Sequence, residues 1–149
     1  MSKLESLTET EILALTIIGE ARGEPIEGQI AVGCVVRNRF HANPSKYRNW
    51  HDVCLEPLQF SCWNEFDTNY PFLKESAEKL ISGGSIVDPY LRQCIFIAGG
   101  VISWDIIDNT KGAKNYMTTA LYNSDKKPSW AKVLKSSPIE IGKQIFINV

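Results

Sequence analysis

Thr8-Glu9-Thr10-Glu11-Ile12-Leu13-Ala14-Leu15-Thr16-Ile17-Ile18-Gly19-Glu20-Ala21-Arg22-Gly23-Glu24-Pro25 reads as one apolar helix and its end, around which the other elements have to pack. It opens with capping-box spacing, Thr8 followed three residues on by Glu11, and apolar side chains then recur at Ile12, Leu13, Leu15, Ile17 and Ile18. A helix over residues 9–21 follows, ended before the breaker Pro25. Glu20 stands in its last turn, where the negative end of the helix dipole and partial burial both favour the protonated acid. A general acid is kept at neutral pH in this way. A lone glutamate at a helix end is more often a solvated residue. Here Arg22 suits the helix C-terminus and Glu24 beside Pro25 suits the start of a second helix, so Glu20 is the one of the three that opposes the dipole.

Working outward, Pro25 fits the first turn of a second helix that runs to Phe40 and stops before Asn43-Pro44. That helix is apolar on more than one face. Gly28 and Gly33 each weaken it relative to alanine, which points to close approach of another helix, the first being the candidate. Between Pro44 and Pro71 periodicity disappears in a run rich in Trp, Asn and Pro, and a long irregular stretch in a compact domain suggests function. Pro71 to Ile81 reads as an amphipathic helix closed by Gly83-Gly84, and Asp88-Pro89 starts a fourth, almost wholly apolar helix reaching Trp104. Asp105 to Ala113 is a polar loop. Asn115 to Tyr122 reads as extended, and Glu140 to Val149 as a strand able to pair with it antiparallel. The expected fold class is α+β, mainly helical with a small antiparallel sheet near the C-terminus, in one domain over residues 1–149.

Composition narrows the function classes. With 44% apolar and 22% charged residues, the chain resembles neither a disordered nor a membrane protein. A net charge of −1 gives no electrostatic case for nucleic acid as a partner. The N-terminus lacks the apolar core of a secretory signal, and no apolar run approaches the roughly 18 residues of a membrane span. Synthesis in the cytoplasm, no stable membrane insertion and a monomer are therefore expected. Cys34, Cys54, Cys62 and Cys94 have no metal-like spacing and are expected as thiols, with Cys34 and Cys94 in the core, while Cys54 and Cys62 flank a loop where they could meet under oxidising conditions. His41 and His51 lie in no ligand motif, so no metal and no cofactor is expected.

Two further runs carry candidate chemistry. In Gln59-Phe60-Ser61-Cys62-Trp63-Asn64 polar groups alternate with aromatic rings on a loop, a pattern suited to sugars, whose apolar faces stack on rings while amides and hydroxyls bond their substituents. Phe60 reads as a core anchor, and Gln59, Ser61 and Trp63 as substrate contacts. In Asp108-Asn109-Thr110-Lys111-Gly112-Ala113-Lys114-Asn115-Tyr116, Asp108 and Thr110 hold a turn that Gly112 permits, and Tyr116 offers a phenol to an acidic group or to substrate, an ordinary edge tyrosine being the equal alternative. The basic residues Arg37, Arg39, Lys46 and Arg48 read as a solvated helix end and loop.

These residues, in this order, resemble the cell-wall hydrolases related to spore cortex-lytic enzymes, phage-encoded members included. The likeness runs from Glu20-Ala21-Arg22-Gly23-Glu24-Pro25 through Glu27-Gly28-Gln29-Ile30-Ala31-Val32 and Val35-Val36-Arg37-Asn38-Arg39 to Gln59-Phe60-Ser61. It continues through Gly112-Ala113, Asn115-Tyr116 and Pro128-Ser129-Trp130, and ends at Ile141-Gly142-Lys143-Gln144-Ile145-Phe146. The resemblance implies a lysozyme-like fold, cleavage of peptidoglycan glycan strands, and a catalytic acid at Glu20. It also implies a substrate-binding cleft to which Asn115 and Tyr116 contribute; at Asn115 and Gln144 this chain departs from the histidine or tyrosine that the family often has. With one persuasive carboxyl, lytic transglycosylation is the expected reaction. A hydrolytic muramidase would need a second acid such as Glu65, Asp67 or Asp105; an amidase, or a non-catalytic wall-binding or virion protein, are the other readings. A single domain without an export signal resembles the phage type, acting at the wall after release by a lysis system or from a virion.

Overall fold

The capping box forms as spaced: the Thr8 side chain accepts from the Glu11 N–H at 3.1 Å, and Glu11 Oε1 accepts from the Thr8 N–H at 2.8 Å. Helix α1 follows over Glu9–Ala21. Every residue from Ile12 to Ile18 is fully buried, so α1 has no solvent face and the rest of the chain is wrapped around it. The computed structural model describes residues 2–132 and 134–149, and the elements packed on α1 are α2 (Ile26–Ala42), α3 (Trp50–Cys54), α4 (Tyr70–Ile81) and α5 (Pro89–Ile102). Asp88 caps α5 through the N–H groups of Tyr90 and Leu91.

Gly33 is where α2 meets both neighbours closely: a Cβ there would lie 3.1 Å from Val101 on α5 and 3.2 Å from Ile17 on α1. Gly28, expected to play the same part, instead faces Glu24 and Pro25 at the start of its own helix. The basic cluster also divides differently from its reading. Arg37 is 1% exposed, donates to the Val101 carbonyl at 2.9 Å and the Ile106 carbonyl at 3.0 Å, and lies over the Trp104 ring. Lys46 and Arg48 remain exposed, paired with Glu56 and Asp52. Arg37 lies on α2 and Lys46 and Arg48 on the loop after it, so a shared sign does not mean a shared environment, and only packing assigns it.

The C-terminal part carries three antiparallel strands in the order β1-β3-β2, with β1 at Asn115–Thr118, β2 at Ile139–Ile141 and β3 at Gln144–Ile147. The region expected as one strand is thus a hairpin turning at Gly142 and Lys143, and the region expected as extended to Tyr122 changes after Thr118 into the short helix α6 (Thr119–Tyr122). Gly142 has φ +60, and its turn docks on the junction of α1 and α2, where the Lys143 N–H donates to Glu24 Oε1 at 3.0 Å. Alternation along β3 covers it on both faces: Phe146 joins the main core beside Tyr116, while Ile145 and Ile147 join Met117 and Ala131 in a second, smaller core. No helix among the described residues is long and apolar enough to cross a membrane.

Candidate active site

Glu20 is half-buried at the end of α1, and the fold brings one donor to each of its oxygens. The Tyr116 hydroxyl donates to Oε1, from 96 residues away in the chain. The backbone N–H of Cys62 donates to Oε2 at 3.0 Å. Two carbonyls of the last turn of α1 are capped by side chains, Gly19 by Asn69 Nδ2 at 3.1 Å and Ala21 by Gln29 Nε2 at 3.4 Å, so the helix end that carries Glu20 holds its shape.

The approach of Cys62 depends on Gly19. A Cβ on Gly19 would lie 2.7 Å from both Cβ and Sγ of Cys62 and 2.9 Å from Leu73, so only glycine lets the 3-10 turn Ser61–Trp63 close on the helix. The Cys62 thiol faces the carboxyl as well. Burial, and then the Glu20 charge, push that thiol well above its ordinary value, so it stays protonated. Burial pushes Cys54 up to about 12 in the same manner, and all four cysteines are free and buried.

Tyr116 is placed by the loop before it. Asp108 accepts from Thr110 N–H at 2.8 Å, Thr110 Oγ1 at 2.6 Å, Gly112 N–H at 3.0 Å and Asn38 Nδ2 at 3.0 Å, which folds the turn and ties it to α2. Gly112 has φ +79, as the turn requires. Asn38 Nδ2 also donates to the Ala113 carbonyl at 2.9 Å. The phenol that emerges is packed against Phe146 with ring centroids 5.5 Å apart. Burial first, and then the neighbouring Glu20 carboxylate, push Tyr116 well above its ordinary value, so it acts as a donor and not as a base.

Arg39 ties the two sides together, contrary to its reading as a solvated residue. It donates through Nε to the Lys114 carbonyl at 2.5 Å, through Nη1 to Gln59 Oε1 at 2.9 Å and through Nη2 to Asn115 Oδ1 at 3.5 Å, and its guanidinium lies over the Phe60 ring. Burial pulls it below its ordinary value, opposed by Tyr116, Tyr47, Glu56 and Glu20, which puts its charge within reach of the Glu20–Tyr116 pair.

Of the residues singled out from sequence, Glu20 and Tyr116 touch, and Gln59 and Asn115 gather on Arg39 beside them. Ser61 is exposed at the start of the turn whose next residue bonds Glu20. Trp63 is half-buried, packed on the core, with its indole N–H given to Thr16 Oγ1 at 3.0 Å, and Phe60 is 2% exposed in the core. Gln144 pairs with Thr118 at the far end of β1. The buried His51 is bonded to the Leu7 carbonyl, and among the described residues no group of three or more His, Cys, Asp or Glu is placed to hold a metal ion. Sequence reasoning missed Gly19, Arg39 and the Cys62 N–H. A glycine inside the last turn of an apolar helix was the available signal for the first; a backbone donor on an irregular loop leaves none.

Residues 23–147 match the family described as Cell Wall Hydrolase, a match that begins just after Glu20. The spore cortex-lytic enzyme of Bacillus subtilis (strain 168) is 41% identical over 56 residues, which is 38% of this chain and 18% of that protein. The spore cortex-lytic enzyme of Halalkalibacterium halodurans is 42% identical over 53 residues, 36% of this chain and 16% of that protein. The chain thus matches less than a fifth of the length of these relatives. Among solved structures, the catalytic domain of the SleB protein of Bacillus cereus superposes with a TM-score of 0.57 at 23% identity, over 94% of this chain and 89% of that one. The catalytic domain of the germination-specific lytic transglycosylase SleB from Bacillus anthracis gives a TM-score of 0.57 at 22% identity, over 96% and 98%. The mainly helical, lysozyme-like fold with its small C-terminal sheet is shared with these domains.

Proposed function

This chain belongs to the cell wall hydrolase family, and from that premise we propose that it cleaves the glycan strands of bacterial peptidoglycan with Glu20 as acid and base. The observation that carries the reading is the Glu20 carboxyl at the open end of α1, with the Tyr116 hydroxyl on one oxygen and the Cys62 N–H on the other. Protonated Glu20 gives its proton to the glycosidic oxygen as the C1–O bond breaks, so the departing sugar leaves as an alcohol and positive charge spreads over C1 and the ring oxygen. The carboxylate, held by its two donors, then takes the proton of the C6 hydroxyl of the same sugar, whose oxygen closes on C1. Glu20 returns to the acid, no water is consumed, and the product is a 1,6-anhydro sugar. The groups touching Glu20 are a phenol, a peptide N–H and a thiol kept protonated by burial, which suits a one-carboxyl mechanism. The name lytic transglycosylase carried by the Bacillus anthracis neighbour is in keeping with it. Action at the bacterial wall, after release by a phage lysis system or from a virion, completes the proposal.

Hydrolysis is the second reading, with the half-buried Asp67, whose charge adds to that of Glu20 in raising the Cys62 thiol, as the candidate second carboxyl. A water activated there would leave a reducing end. Mass spectrometry of products from purified walls decides: the expected fragments are lighter by one water, with anhydro ends, and Glu20→Gln slows their release at least about 10³-fold while the fold is kept. Reducing ends would transfer the reaction to hydrolysis, and free stem peptides to an amidase. Walls bound but uncut, equally by wild type and Glu20→Gln, would make the protein a non-catalytic binder.

A further inference from the structure

Arg39 does more than staple two segments, because an arginine has donors only. The amides of Gln59 and Asn115 must therefore each turn an oxygen towards it, as the 2.9 Å and 3.5 Å contacts have it. In a planar amide the nitrogen then points away from the guanidinium. Neither amide nitrogen has a partner among the described residues, and neither is buried: Gln59 is exposed and Asn115 half-buried. Both belong to segments that bring a donor to the reacting carboxyl, Gln59 three residues before the Cys62 N–H and Asn115 immediately before Tyr116. The two amides offer two NH₂ donors backed by a fixed positive charge, their own oxygens being taken up by Arg39.

We infer that Gln59 and Asn115, oriented by the positioning residue Arg39, form a donor pair that selects strand sugars by an acceptor oxygen, the N-acetyl carbonyl in the first place. This rests on the reading of the protein as a glycan-strand enzyme and names how that site recognises its sugar. A de-N-acetylated sugar presents an ammonium group, which has only donors and meets the Arg39 charge, so it is rejected.

The test uses near-isosteric exchanges that leave the Arg39 bonds in place. Gln59→Glu and Asn115→Asp still accept from Arg39 but replace the outward NH₂ by an oxygen. Each is expected to raise KM for N-acetylated strands about tenfold, with a much smaller change in kcat, and to narrow the preference over de-N-acetylated strands by a similar factor. Arg39→Lys, which keeps the charge but cannot fork to both amides, raises KM in the same direction. Strands stripped of their stem peptides serve as the control: KM is expected to be unchanged by stripping, and a KM that follows stripping and not de-N-acetylation would move the acceptor to the stem peptide and overturn the inference. A purely structural role for the two amides predicts the opposite result, an unchanged KM on every strand with equal or higher thermal stability, and that result overturns the inference. The same exchanges in the Glu20→Gln protein, read as binding of N-acetylated strands, are expected to weaken it about tenfold. This arm needs no turnover: absence of any glycan product from the wild type would remove the parent reading, whereas unchanged binding would remove this one.

Discussion

Glu20 and Tyr116 meet at one hydrogen bond, yet the two regions that carry them are built in different ways. Glu20 rides on α1, whose start is fixed by its own capping box and whose body is buried on every side. Tyr116 rides on β1, a strand of four residues positioned through Asp108, Asn38 and Arg39 and backed by a small second core. The acid is placed by apolar burial spread over a whole helix. Its partner is placed by a short chain of polar bonds. The first can be displaced only by disturbing the core, while the second can be displaced one bond at a time.

That contrast can be broken at three points. The largest effect is expected from Tyr116→Phe, which keeps the ring on Phe146 and removes the donor to Glu20: kcat should fall about 100-fold with little change in thermal midpoint. A loss below twofold in steady-state kinetics would mean that the sheet lends shape and no chemistry. On the helical side, Gly19→Ala should cost about 2 kcal/mol in a denaturant titration, because the added methyl has Cys62 and Leu73 in its way. Activity should fall with it as the Cys62 N–H leaves Glu20. Alanine is the better helix former, so a stabilised variant would show that the close approach is dispensable.

The smallest effect belongs to the loop that sets β1. At Asp108, burial pushes the carboxyl up, but the bonds from Thr110, Asn38 and the Gly112 N–H outweigh it and hold the group below its usual value. A carboxylate depressed in this way stabilises the fold above its unfolded value of about 3.9, and that contribution is lost as pH falls through the lower folded value. Asp108→Asn should therefore cost about 1 kcal/mol at neutral pH, with the gap to wild type closing in acid, as equilibrium unfolding at a series of pH values would record. A gap that widened in acid would show that the turn is held by something other than the carboxylate.

Much of the helical frame was legible because its signals are local. Thr8 and Glu11 mark the start of α1, Asp88-Pro89 the start of α5, and Gly83 the close of α4, each within a few residues of the element it governs. The five-residue α3 was not legible, since it is too short to show a period and is held by Trp50 and Val53 packing on the core. Nor was the break between β1 and α6, where the Thr118 side chain caps a helix of one turn. Arg37 and Arg39 read alike in sequence, two residues apart with the same charge, yet one is locked under α5 and the other lies beside the reacting groups.

Residue order alone places a carboxyl in the last turn of an apolar, core-forming helix, and a loop and a strand rich in groups that fit sugars. Those follow from spacing and residue chemistry, which act over a few residues. Which groups meet is set by folding: the Tyr116 phenol and Cys62 N–H on Glu20, Cys62 against the bare Cα of Gly19, and Arg39 between Gln59 and Asn115. Such pairings join residues tens of positions apart, and their geometry is set by how the core closes, because close packing leaves each side chain few places to go.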